Sequence, residues 1–397
     1  MVELADISGL SQPSQEALKL VLDRCIRCNT CKYAYKEFTP TCPSGETFKF
    51  ESYWASGRIR LARGLLTQRL KWTADMLDPI FACTACGACG DSCQAPHQDQ
   101  IVDIIESLRE FAVKSVGAPA KQARLVPPVA EHFNPYGAPH SDNAEIRAKY
   151  HLKPTASVVY FIGCTSNYRQ QQLRDATLSV LQKLGVDFTV VDERCCGSPL
   201  IRTGQLDLVP GLMRYNADAI AATGAKTIVT SCSGCYRTMK KDFAKFGVDL
   251  GLEVLHSSEF INQKLTPAEI KRLQQKSGKN PAVTTVTYHD PCHLGHHMGV
   301  FDAPRELLVK IPGIKLVEMP RNRTSAWCCG AGGGVKIGYP EWAVHIARER
   351  VEEAHQTGAT TLVSTCPFCK TNLSDANAQA GTDIDVIDLI ELLDRAL

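Results

Sequence analysis

No stretch of this sequence approaches the roughly 18 consecutive apolar residues of a membrane-spanning helix. Met1 to Pro13 lacks the basic start, apolar middle and small-residue cleavage site of a secretory signal. The expectation is a cytoplasmic protein, reaching the inner face of a membrane only through a partner. Neither sign of charge is in excess: 44 Lys and Arg stand against 42 Asp and Glu, a net charge of +2. That balance argues against a nucleic-acid groove, so no nucleic acid is expected as a partner. There is also no G-x-G-x-x-G, the fingerprint of a dinucleotide site.

Cysteine is abundant, with 18 in 397 residues. Disulfides, zinc and iron–sulfur clusters are the three explanations. Disulfides need an oxidising compartment, which the missing signal argues against, and disulfide-dense scaffolds are much shorter than this chain. Zinc ribbons pair two C-x2-C units, whereas here Cys25, Cys28 and Cys31, and again Cys83, Cys86 and Cys89, form C-x2-C-x2-C runs. Such a run brings three thiolates to one face of a [4Fe–4S] cubane.

The chain divides by these patterns. Residues 1–116 hold the two runs, each completed by a later cysteine, Cys42 and Cys93. Helical sequence is expected over Tyr53 to Met76 and over Asp99 to Lys114, where Ile101, Ile104, Ile105 and Leu108 repeat at helical spacing. Residues 117–154, broken by six prolines, read as a surface linker. The remainder is an internal duplication, 155–265 and 280–397. In the first copy Ser157 to Ile162 leads to Cys164, Phe188 to Val191 to Cys195 and Cys196, and Thr227 to Thr230 to Cys232 and Cys235. In the second, Val283 to Tyr288 leads to Cys292, Lys315 to Glu318 precedes Cys328 and Cys329, and Thr361 to Ser364 leads to Cys366 and Cys369. Short β-branched runs alternating with helical stretches predict α/β repeats with mainly parallel strands and functional groups beyond the strand ends. The fold class is α/β: a helical dicluster ferredoxin-like module followed by two tandem repeats.

Each repeat offers five thiols, one more than a cubane uses, and an adjacent Cys-Cys pair suits a closed tetrahedral site poorly. The spacings C-x30-CCG-x34-C-x2-C and C-x35-CCG-x35-C-x2-C match the CCG domain in its five-cysteine form. With Tyr288-His289-Asp290-Pro291-Cys292-His293, Cys328-Cys329-Gly330-Ala331-Gly332-Gly333-Gly334 and Cys366-Pro367-Phe368-Cys369-Lys370, the chain resembles the D subunits of methanogen heterodisulfide reductase. That resemblance implies two noncubane [4Fe–4S] clusters, one per repeat, facing a site where a disulfide of two thiol cofactors is cleaved. Cys164, Cys195, Cys196, Cys232 and Cys235, with Cys292, Cys328, Cys329, Cys366 and Cys369, would be catalytic. It also implies redox partner subunits, a membrane cytochrome b or a flavoprotein. The alternative is an electron-transfer subunit of a flavin-dependent glycolate or lactate oxidase type, or of a sulfate-reducer membrane complex.

The N-terminal runs resemble bacterial ferredoxins, in which the fourth cysteine of each motif serves the other cluster. That pattern implies cubanes on Cys25, Cys28, Cys31 and Cys93, and on Cys83, Cys86, Cys89 and Cys42. The sequence departs from it in the ten residues before Cys42 and in Gln94-Ala95-Pro96, where proline does not follow Cys93 directly. Ala331 to Gly334 is read as permitting close backbone approach rather than cradling phosphate. His289, His293, His296 and His297 are read as hydrogen-bond donors around the cysteines or as packing. Lys336 and Arg202 could attract an anionic thiol, though such charges are commonly solvated or cap helices.

Overall fold

The computed structural model describes residues 4–22, 25–34, 39–95, 98–277 and 283–397. Pro96 and the expected start of the second repeat at 280 lie outside them.

The N-terminal module is helical. Ala55–Leu66 and Ile101–Val116 are its long helices, packed with Gln12–Lys19 around Leu18, Ile59, Leu66, Ile80, Phe81, Ile104 and Leu108. The first is shorter than its sequence suggests: the chain turns after Leu66, with Gln68 at φ +54°, and Leu70 N–H bonds back to the Gly64 carbonyl.

Two four-stranded parallel sheets follow. Strands β1 (Val158–Tyr160), β2 (Phe188–Thr189), β3 (Thr227–Thr230) and β4 (Glu253–His256) stand in the order β2-β1-β3-β4. Strands β5 (Thr284–Tyr288), β6 (Ile314–Leu316), β7 (Thr361–Ser364) and β8 (Asp385–Asp388) repeat it as β6-β5-β7-β8. Six strands stand where apolar runs precede cysteines. β4 and β8 carry no cysteine and were not foreseen. Both run straight into capping boxes, His256 with Glu259 and Asp388 with Glu391.

The repeats pack about a pseudo-twofold axis. Gln171–Lys183 of the first lies on Leu389–Ala396 of the second, and Ser257–Lys264 on Asp302–Lys310, a reciprocal exchange of equivalent helices. One apolar cluster spans them, with Leu173, Val180 and Phe260 meeting Leu307, Leu389 and Leu393.

The segment 117–154 is no loose linker. It forms the short helices Ala120–Ala123, Val126–His132 and Ala144–Lys149, buries Val129 in the first repeat's core, and ties Asn143 Nδ2 to the Val191 carbonyl at 2.8 Å. Prolines sit at the starts of the first two, where their missing N–H costs nothing.

Candidate iron–sulfur centres

Parallel strands carry the ten C-terminal thiols to one end of two sheets. β1 leads to Cys164, β2 to Cys195 and Cys196, and β3 to Cys232; β5 leads to Cys292, β6 to Cys328 and Cys329, and β7 to Cys366. Crevices beyond strand C-termini are where α/β sheets place chemistry. Gly163, at φ +80°, lets the chain turn here: a Cβ would lie 2.9 Å from Cys235 Sγ.

Within each repeat the thiols touch in sequence. Cys164 lies beside Cys195, Cys195 beside Cys196, Cys196 beside Cys235 and Cys235 beside Cys232. Likewise Cys292 lies beside Cys328, Cys328 beside Cys329, Cys329 beside Cys369 and Cys369 beside Cys366. Cys232 and Cys366, the first members of the two C-x2-C pairs, bond each other across the repeats. Contact between equivalent residues places the pair at the pseudo-twofold axis. None of the eighteen cysteines forms a disulfide.

In the N-terminal module Cys42, Cys83, Cys86 and Cys89 line one small void. Cys93 lies within electrostatic reach of Cys25 and Cys28, and Cys31 of Cys93. Cys31 and Cys89 bring the two sets side by side, while Cys28 is exposed. Burial holds Cys42 and Cys89 as neutral thiols, opposed at Cys42 by the Arg58 guanidinium, and pushes Cys31 up to about 11. Iron would reverse this, since a ligating thiol gives up its proton. Four sulfurs around one void suit a cubane's four ligands.

Nothing in the cysteine spacing signals that Cys86 bonds Cys292 and Cys328 of the second repeat. This contact depends on docking. Gly332 and Gly333 let the backbone of Cys83 and Thr84 approach so closely that a Cβ would lie 2.7 Å from the Thr84 carbonyl oxygen at Gly332 and 2.5 Å from the Cys83 oxygen at Gly333. The glycine run therefore serves module packing. His296 Nδ1 bonds Asp91, and His297 Nε2 bonds the Ala85 carbonyl at 2.9 Å. Helix Ile101–Val116 meets the first repeat through ion pairs: buried Glu106 with Arg202 at 2.6 Å and Arg237 at 3.0 Å, and part-buried Asp103 with Lys245 at 2.6 Å, while Arg202 also pairs with Asp242 of its own repeat.

Arg202 is thus structural. Lys336 pairs with Asp375 and Asn372, each at 2.6 Å, so neither cation stands ready for an anionic substrate. Two buried arginines escaped the sequence reading. Arg58 donates to the Pro79 and Tyr53 carbonyls and Ser44 Oγ behind Cys42. Arg109 donates to the carbonyls of Ile80, Cys83, Arg202 and Gly333.

Around the second repeat's cysteines lie His289, His293, His296 and His297, with His293 and His297 rings 4.5 Å apart. Burial, reinforced by Arg350, drives His289 down to about 3, so its ring is neutral. A ring nitrogen of His289 and the Sγ atoms of Cys329 and Cys369 lie within 4.8 Å of one another.

A 4Fe-4S dicluster domain family matches residues 21–96, and a cysteine-rich (CCG) domain family matches residues 158–240 and 286–374. The D subunit of the dihydromethanophenazine:CoB–CoM heterodisulfide reductase of Methanosarcina barkeri is 39% identical over 392 residues, covering 95% of this chain and 94% of that one. The chain belongs to the family of heterodisulfide reductase D subunits. Members of wider kinship are the B subunit of the fumarate reductase (CoM/CoB) of Methanothermobacter marburgensis, 35% identical over 80% of this chain and 61% of that one, and the EtfAB:quinone oxidoreductase of Syntrophomonas wolfei, 27% identical over 81% and 47%. The family's iron–sulfur character is that of an oxidoreductase built for multi-subunit redox complexes. Among the described residues no helix is long and apolar enough to cross a membrane.

Proposed function

We propose that the chain is the catalytic iron–sulfur subunit of a heterodisulfide-reductase-type complex, receiving electrons singly and spending them in pairs on a disulfide. The reaction balances as RSSR′ + 2 e⁻ + 2 H⁺ → RSH + R′SH, the S–S bond breaking as each sulfur gains an electron and a proton. Cys25, Cys28, Cys31 and Cys93 would hold one cubane, and Cys42, Cys83, Cys86 and Cys89 the other. The five cysteines of each repeat would hold a noncubane [4Fe–4S] cluster. Bound there, such groups supply one-electron steps without a flavin.

The carrying observation is the unbroken run of touching thiols from Cys86 through Cys292, Cys328, Cys329, Cys369 and Cys366 to Cys232. It supports electron entry at the second repeat, with the first repeat reached across the axis. The exposure of Cys28 supports docking of a redox partner, a cytochrome b or a flavoprotein, over the first cysteine run. The likeness to a relative named as an EtfAB:quinone oxidoreductase supports a second reading, a carrier of electrons from a flavoprotein partner.

Anaerobically purified protein should hold about sixteen irons in four clusters. With reduced viologen as donor, it should reduce an organic disulfide without flavin. Iron near half that amount, with zinc making up the difference, defeats the cluster assignment. Inactivity across a panel of disulfides, including the mixed disulfide of coenzymes M and B, in fully loaded protein favours the carrier reading.

A further inference from the structure

The repeats align residue for residue after their first strands, Tyr160-Phe161-Ile162-Gly163-Cys164 against Tyr288-His289-Asp290-Pro291-Cys292. The tyrosines keep one role: Tyr160 Oη bonds Ser231 Oγ at 2.9 Å, and Tyr288 Oη bonds Thr365 Oγ1 at 2.8 Å. The next residue differs. Phe161 is buried in an apolar cluster and offers no donor. His289, wholly buried, has its ring beside Cys329 and Cys369.

The ring's proton can be placed by its partner. Arg350 Nε donates to His289 Nδ1 at 3.2 Å, and Arg350 is itself fixed by the Arg321 carbonyl at 2.6 Å and Glu353 at 2.9 Å. A guanidinium nitrogen only donates, so Nδ1 presents its lone pair and the neutral ring carries hydrogen on Nε2. Nε2 is buried and has no hydrogen-bond partner among the described residues. A protonated Nε2 cannot ligate iron. It can donate to a thiolate.

We propose that His289 donates Nε2–H to the Cys329 or Cys369 thiolate, and thereby holds the second repeat's cluster at a higher reduction potential than the first's. The inference rests on the reading of the two five-cysteine sets as iron–sulfur sites. A hydrogen bond to a ligating sulfur stabilises the more negatively charged, reduced form, and hydrogen bonding to sulfur is a principal lever on cluster potential. Phe161 leaves the first repeat without that lever. The site next to Cys86 therefore fills with an electron first, and the first repeat's site is the stronger reductant.

The test is a redox titration, followed by electron paramagnetic resonance, of the full chain loaded with iron and sulfide, comparing wild type with H289F and H289Q. Gln keeps an N–H near the Nε2 position; Phe copies the first repeat. H289F should lower the midpoint of one noncubane signal by a tenfold or greater change in its reduction equilibrium, about 59 mV per tenfold for one electron. H289Q should recover most of it, and the cubane signals should stay put. If H289F fails to hold its clusters, H289M supplies a smaller donor-free variant for the same comparison. An unchanged midpoint in a donor-free variant with all clusters present overturns the proposal, as does a strongly coupled, directly ligated nitrogen in wild type labelled with ¹⁵N-histidine. Wild-type protein lacking noncubane signals altogether would instead refute the cluster reading, before any variant is made.

Discussion

In the first repeat the carboxylate of Glu193 closes the cysteine loop, accepting the N–H groups of Ile162 at 2.9 Å and Gly163 at 2.6 Å. In the second, Asp290 anchors the equivalent loop from just beyond β5, clamped by both terminal nitrogens of Arg305 at 2.7 and 2.9 Å and by the Arg323 N–H at 2.9 Å. The first set of cysteines has Phe161 packed beside it, the second His289 and Cys86 of another module. Duplication preserved the five cysteines and the strand order. What diverged is the environment of each set, which is what governs cluster potential and access. Two equal sites would offer an arriving electron no direction.

The largest effects should come from breaking one site at a time. Cys196→Ser and Cys329→Ser should each take disulfide turnover to background, since a two-electron cleavage cannot finish on one competent site. Both variants should keep the cubane signals, because the N-terminal ligands come from separate sequence. Simultaneous loss of every signal would contradict that separation.

Arg109→Met removes the donor shared by both repeats. Stranding the carbonyls of Ile80, Cys83, Arg202 and Gly333 should cost about 4 kcal/mol, read in denaturant titrations that follow cubane release. An equal loss at the repeats' own transition, with the module still docked, would refute a joint role.

The cap residues make a finer comparison. His256 and Asp388 end equivalent strands, and each accepts a helix N–H, from Ser258 and Ile390. Burial depresses His256 to about 4, so its stabilising contribution is complete above pH 6.5 and is lost as pH falls toward 4, roughly 3 kcal/mol in all. H256N keeps a good cap and should remove this acid sensitivity. Burial, aided by Glu391, raises Asp388 instead, so its contribution falls as pH climbs above the ordinary carboxylate range. D388N should therefore gain stability at neutral pH, by about 1 kcal/mol or less. Thermal melts across pH would show the two variants responding with opposite sign; matching responses would erase the distinction.

Much of this was legible in the chain. The cysteine spacing, the apolar runs before each cysteine and the order of parts foretold six strands and the duplication. β4 and β8 escaped because four-residue strands without a cysteine carry little signal of their own. The helices of 117–154 escaped because prolines at helix starts look like breakers when the cap geometry is unseen. The meeting of Cys86 with Cys292, and of His289 with Cys329, lies between elements 206 and 40 residues apart in sequence. Local patterns cannot report such contacts, because docking of finished surfaces creates them.

Arg109 also bears on the order in which the protein is completed. Its guanidinium is satisfied by carbonyls from three modules, Ile80 and Cys83 of its own, Arg202 of the next and Gly333 of the last. A ribosome delivers the N-terminal module first, and the last of these acceptors, the Gly333 carbonyl, arrives only once the third module has emerged and folded. The part made earliest therefore completes its set of partners last.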